Sequence, residues 1–290
     1  MNRVYWVMGL TKQAFHQHLD RQLKMYEEQQ QLIPMILEIR TDHPRMGSRE
    51  MYRLIQPQSM GRDRFEDFCF ENGFKLEIKK SFIRTTNSLG VTRFANQILG
   101  LEVTHANQVW VSDITYYRIG DRFYYLTFIM DLYSRWIKGF AVSENLFTEN
   151  TTIPSLRMAL TLSKPPSGLI LHSDGGGQYY SKIFLALTKK NGIVNSMCDS
   201  VYENPHAERV NGTIKNDYLV FYNPQNYLQL YQMTQKAIYM YNYIRPHQSV
   251  NRLSPVKFEE LLTEKRVVDK RKKDQKRKET ITNITFENQE

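Results

Sequence analysis

The chain has 290 residues, a formal net charge of +9, 41% hydrophobic and 12% aromatic residues. That composition excludes a disordered chain, and the length suggests two or three domains. Cys69 and Cys198 stand in no paired motif, which argues against a disulfide framework or a Cys-rich zinc site.

No apolar run reaches the roughly 18 residues of a membrane helix, and the start lacks a signal-peptide pattern, so cytoplasm is the expected compartment and no membrane contact is expected. The excess of Lys and Arg favours a polyanionic partner.

In chain order, Thr11 is placed to cap a helix with apolar Phe15, Leu19, Leu23 and Tyr26 at helical spacing. A second apolar face follows in Leu32, Met35, Ile36 and Ile39. Pro44 and Gly47 break the pattern, and Ser48 reads as the N-cap of a short helix carrying Met51, Tyr52, Leu54 and Ile55. Another helix is predicted over Arg62 to Glu71, with Gly73 at its C-terminal stop. Lys75 to Lys79 alternates like a short strand. Short helices followed by a strand fit a helix-turn-helix or winged-helix unit over 1–79, with arginines such as Arg45 and Arg49 around its turns. A polar linker follows over 80–106.

From Gln108 the character changes. Strands are predicted over Gln108–Tyr117, Arg122–Asp131 and Trp136–Val142, and their short separators make them antiparallel neighbours. A helix over Thr148–Leu162, a strand over Leu169–Asp174, a helix over 181–191, a strand over 193–198 and a helix over 204–219 then alternate, which indicates a mixed α/β sheet covered by helices. A further helix spans Gln225 to Tyr243. The domain boundaries drawn are 107–222 for this block, 223–262 for a helical extension and 263–290 for a basic flexible tail, rich in Lys and Arg up to Lys278.

Three carboxylates stand out by position. Asp113 interrupts the apolar and hydroxyl-bearing strand Val109 to Thr115, where an ionised carboxylate is costly unless paired or bound to a cation. Asp174 ends a strand and is followed by Gly175, Gly176 and Gly177, which allow close approach of backbone or phosphate. Glu208 lies near the start of a helix. Carboxylates that converge repel one another unless a hard cation joins them, and Mg²⁺ takes oxygen ligands of this type. Asp131, at the end of its strand, reads instead as a turn residue bonded to backbone or to Arg135.

Four stretches carry a resemblance. Asn107 to Tyr116, Leu171 to Tyr179, Asn204 to Lys215 and Tyr241 to Ser249 resemble, in this order, the motifs of the OrfB-type transposases of the IS-three group of bacterial insertion sequences, within the retroviral-integrase superfamily. His43 to Arg49 with Thr85 and Thr86 is similar to the helix-turn-helix segment that precedes the core of that family. The resemblance covers about residues 40–260.

It implies a ribonuclease-H-like fold with a five-stranded mixed sheet, and a catalytic triad of Asp113, Asp174 and Glu208. It also implies that these acids hold Mg²⁺ or Mn²⁺, with two ions expected. Between Asp174 and Glu208 lie 33 residues, about two fewer than the family usually has; the shortening falls in 197–202, with Glu203 as the weaker substitute for Glu208.

The implied reaction has two steps. Water cuts a phosphodiester at the element's end, and the freed 3′-hydroxyl attacks a second phosphodiester. Lys215, two turns after Glu208 on the same helix face, is expected to contact DNA near the cut. Arg209, Asn211, Arg245 and His247 are further expected contacts with DNA, beside Arg45 and Arg49 upstream.

The partners expected are double-stranded DNA, a second copy in a dimer or larger assembly, and an upstream OrfA-type protein. No long heptad run is evident near Met1. A bacterial, nucleoid-associated location follows. The competing readings are a ribonuclease-H-like nuclease that cuts without joining, and a DNA-binding regulator without catalysis.

Overall fold

The computed structural model describes Gly9 and residues 11–76, 94–198 and 204–264. The chain divides into two compact units, Met1–Thr85 and Thr86–Glu290.

The first unit is helical. Helix α1 (Lys12–Asp42) is one continuous element that carries both apolar sets, capped by the Thr11 hydroxyl, which accepts from the Ala14 N–H at 3.1 Å. Pro34 lies inside it, where it removes one helical donor. Helices α2 (Ser48–Ile55) and α3 (Arg62–Glu71) follow. The N-cap of α2 is Gly47 and not Ser48: the Gly47 carbonyl accepts from the Glu50 and Met51 N–H groups, and Ser48 becomes the first helical residue.

Leu32, Ile36, Met46, Met51, Met60, Phe65, Phe68 and Cys69 form the core of this unit. Leu19, Leu23 and Tyr26 are exposed, and among the described residues it is Leu32 and Ile36 of the second half of α1 that enter this core. The Glu28 carboxylate ties the α2–α3 connection down by accepting from the Gln58 and Ser59 N–H groups at 2.6 and 2.8 Å. Residues 74–76 form no strand, and 77–79 of the expected strand lie outside the described residues, as do 80–93 of the expected linker.

The second unit is built on a five-stranded sheet. Its strands are β1 (Val109–Ile119), β2 (Arg122–Asp131), β3 (Ile137–Ser143), β4 (Ile170–Ser173) and β5 (Val194–Met197), in the order β3-β2-β1-β4-β5. The first three pair antiparallel through short turns, and β4 and β5 add in parallel after helical crossovers. This is the mixed sheet of a ribonuclease-H-like fold.

Alternate residues of β1 serve opposite faces. Val109 and Val111 pack with β2 and β3 side chains against helix α6 (Pro205–Gly212), which runs on through a π-helical stretch (Thr213–Leu219) to Tyr222, and against α7 (Tyr227–Tyr239). Trp110 packs on the other face with α4 (Thr152–Ser163) and α5 (Lys182–Lys190). Each fully buried side chain of this kind contributes about 1.5–3 kcal/mol. Helix α4 crosses β3 so closely that a Cβ at Gly139 would lie 2.0 Å from the Ser155 carbonyl oxygen, so only glycine fits there.

Strand β3 is a sheet edge, and its free backbone groups are covered by side chains, as edges require. Asn242 accepts from the Ile137 N–H and donates to the Ile137 carbonyl, both at 3.0 Å, and the Tyr227 hydroxyl donates to the Val142 carbonyl at 3.1 Å. The described part of the expected linker belongs to this unit: Ile98 and Val103 pack on its core, and the Gln97 N–H donates to the Ser196 hydroxyl at 2.9 Å. A last helix, α8, spans 255–264; the basic tail from 265 lies outside the described residues. No helix among the described residues is long and apolar enough to cross a membrane.

Candidate active site

The sheet register brings the first two acids together. Ser112 of β1 and Ser173 of β4 are partners in a parallel pair, so the residues that follow them, Asp113 and Asp174, emerge side by side where β4 ends. Neighbouring strands lie roughly 4.8 Å apart. Asp113 shares the sheet face of Val109 and Val111, and so meets α6. There the Asn211 amide donates to Asp113 Oδ2 at 2.6 Å.

Helix α6 is aimed by its first residues. Pro205 occupies the start of the helix, where its missing N–H costs nothing. The Asn204 side chain donates to the Ser112 carbonyl at 3.0 Å, which fastens the helix start to β1 beside Asp113. Ala207, Val210 and Ile214 are buried against the sheet, and Glu208 is exposed. Glu208, Asn211 and Lys215 recur at helical spacing along one flank. The Lys215 ammonium donates to the Thr115 hydroxyl at 2.9 Å and lies 4.8 Å from the centre of the Tyr116 ring.

Electrostatics register this gathering. Burial, the Asp174 charge and the more distant Glu208 charge push the Asp113 carboxyl up to about 7, against the Ile114 N–H and the Asn211 amide, which hold it down. Burial also raises Asp174, opposed by the Gly176 N–H, which donates to Asp174 Oδ1 at 3.2 Å. A Cβ at residue 176 would stand 3.1 Å from that same oxygen, so glycine keeps the approach open.

Beneath the two aspartates lies a buried hydroxyl pair. The Ser112 hydroxyl donates to the Phe128 carbonyl at 2.9 Å, so the Tyr179 hydroxyl, 2.8 Å away, must donate to Ser112. Burial and both aspartate charges keep Tyr179 protonated.

No three His, Cys, Asp or Glu side chains among the described residues converge closely enough to enclose a metal ion by themselves. The donor set nevertheless suits a hard divalent ion. It offers carboxylate oxygens, and Asp113 is raised by burial first and then by the Asp174 charge, both of which a bound cation would offset. Magnesium of this kind is held by few carboxylates together with water and phosphate oxygens.

The other expected residues are distributed. Arg209 lies exposed on α6 beside Glu208. Arg245 forms an ion pair with Asp217 at 2.9 Å and lies over the Tyr218 ring. His247 Nε2 lies 3.1 Å from the Tyr241 carbonyl, and its ring packs edge-on against Tyr241. Arg45 and Arg49 belong to the first unit, where Arg49 pairs with Glu66 at 2.7 Å. Glu203, the weaker alternative to Glu208, lies outside the described residues. Asp131 is fully structural: its carboxylate accepts from the Asn107, Tyr133 and Ser134 N–H groups and from the Ser134 hydroxyl.

Two groups beside the acids were not evident from spacing. Tyr179 was visible only as part of a motif. Arg135, in the β2–β3 turn, reaches His206 across 71 residues with Nη1 2.9 Å from His206 Nδ1. No local pattern signals either contact.

Comparison with known proteins agrees with this architecture. Residues 103–202 match the model of an integrase core domain, and residues 190–255 match a second model of the same description. An uncharacterized 31 kDa protein of insertion element IS600 from Shigella sonnei is 31% identical over 264 residues, covering 88% of this chain and 96% of that protein. The transposase InsF for insertion sequence IS3A of Escherichia coli (strain K12) is 38% identical over 91 residues, 31% of each chain. Among solved structures, the HTLV-2 integrase catalytic core domain in complex with magnesium is 22% identical with a TM-score of 0.44, over 53% of this chain and 96% of that one. The chain thus belongs to the IS3 family of insertion-sequence transposases, polynucleotidyl transferases of the DDE type that depend on divalent metal and act on DNA.

Proposed function

We propose that Asp113, Asp174 and Glu208 are the catalytic acids, and that the chain cuts DNA at the ends of its insertion element and joins those ends to a target. The observation that carries this reading is the register of β1 and β4, which sets Asp113 beside Asp174 with the Glu208 helix fastened above them. The three carboxylates would hold Mg²⁺ or Mn²⁺, two ions in the full assembly. Such ions supply polarisation of the attacked phosphodiester and stabilisation of the attacking and leaving oxygens.

The protein's own groups do the rest. Asn211 fixes one oxygen of Asp113 and so orients the carboxylate. Tyr179 and Ser112 hold β1 rigid beneath the acids. Lys215, already next to Thr115 and Tyr116, supplies positive charge for a phosphate of the cut strand. Arg209, exposed on the same helix, serves the same purpose. Arg245 keeps guanidinium donors beyond its bond to Asp217, and with His247 would extend the contact along the strand.

The first unit, taken as 1–79 and carrying Arg45 and Arg49, would grip duplex DNA through its helix-turn-helix. Residues 80–106 would link it to the core at 107–222 and its extension at 223–262, and the basic tail from 263 would add phosphate contacts. Joining two DNA ends needs two active sites, so a homodimer or larger complex on bacterial chromosomal DNA, with an OrfA-type partner, completes the reading.

The test uses a labelled duplex carrying the element's terminal repeat, Mg²⁺ and a plasmid target. Joined products are expected; free nicked ends with no joining would leave only a nuclease. A second measurement concerns Asn211. Hydrogen bonds to charged groups are worth roughly 1.5–3 kcal/mol. Asn211→Ala should therefore slow cleavage by about 10- to 100-fold at unchanged DNA affinity.

A further inference from the structure

Residue 135 closes the turn between β2 and β3 with a φ of 64°. That left-handed conformation suits glycine or asparagine and is costly for a long side chain. An arginine here is therefore explained by what its side chain reaches. Its half-buried guanidinium donates to His206 Nδ1 at 2.9 Å in the first turn of α6. An arginine has only donors, so His206 Nδ1 accepts and Nε2 bears the ring proton, directed away from Arg135.

Arg209 follows three residues later on the same helix, close enough that its charge acts on both Arg135 and His206. Like charges are thus gathered at the positive end of a helix, where the backbone dipole adds to their repulsion. The Asp131 charge favours the Arg135 cation from nearby without pairing with it. Asp131 has its carboxylate spent on three backbone N–H groups and the Ser134 hydroxyl. Among the described residues, neither Asp131 nor Glu208 forms an ion pair with Arg135, His206 or Arg209.

We propose that Arg135, His206 and Arg209 form a seat for one DNA backbone phosphate at the first turns of α6, separate from the contact made by Lys215 farther along that helix. Arg135 and Arg209 supply charge and N–H donors, and His206 orients Arg135 while offering its own Nε2–H. A phosphodiester at this place accounts for the strained arginine, its half-buried guanidinium and its lack of an ion pair among the described residues together. The seat fixes the strand on one flank of the reacting bond, so these are positioning residues. The proposal rests on the reading that DNA is cut at Asp113, Asp174 and Glu208.

The test is a binding measurement on the full chain in EDTA, with a duplex ending in the element's terminal repeat. Arg209→Gln and Arg135→Gln should each weaken binding on the order of tenfold and lower the slope of log K against log salt by about 1. Arg135→Lys, which keeps the charge, should restore part of the loss.

Replacing single phosphates by neutral methylphosphonates locates the seat. One position near the scissile bond should weaken wild-type binding about as much as the variants do, and should cost the Arg135→Gln/Arg209→Gln protein nothing further. A wild-type salt slope in Arg209→Gln, whose side chain forms no ion pair among the described residues, or equal methylphosphonate penalties in both proteins at every position, would overturn the seat. Because binding is read without metal, a chain that binds as described but neither cuts nor joins would refute the proposed function and leave the phosphate seat standing.

Discussion

Asp174→Asn and Asp113→Asn should each reduce cleavage and joining by roughly 10³-fold or more, since several kcal/mol of charge stabilisation disappear at once. DNA binding in EDTA should persist, because neither acid contacts DNA favourably without a cation. The folded protein should respond in the opposite direction.

Asp113 is pushed up to about 7 from 3.8, by burial first and then by Asp174. Between pH about 4 and 7 the unfolded chain has released this proton and the folded chain still holds it. Stability is therefore fully present below pH 4 and falls as pH rises through that window. Each unit is worth about 1.4 kcal/mol, so the cost reaches a few kcal/mol at neutral pH.

Asparagine lacks this cost and still accepts from the Asn211 amide. Asp113→Asn should consequently melt higher than wild type at pH 8 in EDTA, and Mg²⁺ should raise the melting temperature of the wild type alone. Thermal melts across pH with and without Mg²⁺ check this. Wild-type cleavage by Asp174→Asn would refute the catalytic assignment.

Local patterns carried much of this architecture. The alternating apolar residues and short turns of 108–142 announce three antiparallel strands, and β2 lies where that pattern ends on Asp131. An acid amid Val109, Trp110, Val111 and Ile114 stands out as costly, but spacing alone does not separate Asp113 from Asp131, and the family resemblance makes that distinction. What no pattern conveys is which strands become neighbours after a crossover. The pairing of β1 with β4, and hence Asp113 with Asp174, depends on packing between segments 60 residues apart, and family resemblance supplied it. Periodicity also says that a face exists without saying what covers it, so Leu19, Leu23 and Tyr26 recur at helical spacing yet lie exposed on α1.

Two features fall outside helical spacing rules altogether. The π-helical stretch Thr213–Leu219 shifts the side chains after Gly212 from their ideal positions, yet Lys215 still reaches Thr115. The expected helix start at Thr148 gives way to a turn in which the Phe147 carbonyl accepts from the Asn150 and Thr151 N–H groups, and the helix begins at Thr152. In both cases the competing local hydrogen bonds are too close in energy to be ranked from residue type alone.

Glu259→Gln should destabilise the second unit by about 3 kcal/mol, an effect expected when one partner of a buried ion pair is removed. Lys138 lies on β3 with 2% of its surface exposed; its ammonium contacts both Glu259 carboxylate oxygens at 2.8 Å and lies 3.6 Å from the centre of the Trp136 ring. Burial lowers the Lys138 pKa, with the Glu259 charge opposing that shift. Without Glu259 a buried cation faces only an aromatic ring. Lys138→Met, in contrast, removes the charge that needs a partner and leaves Glu259 nearer solvent, so its cost should be small. Urea titrations of the two variants and of the double variant would measure this asymmetry as non-additivity.

The pH dependence gives a second readout. A lysine with a lowered folded pKa binds its proton less well in the folded chain, so stability rises with pH until the unfolded value of about 10.5 is passed. The deficit of Glu259→Gln should therefore shrink between pH 8 and 10.5, as Lys138 sheds its proton inside the fold. A deficit constant across that range would mean that the carboxylate acts by packing rather than by charge. Helix α8, which Glu259 anchors to β3, immediately precedes the basic run that begins at Lys265, so Glu259→Gln should also reduce the salt slope of DNA binding if the run works from a fixed base.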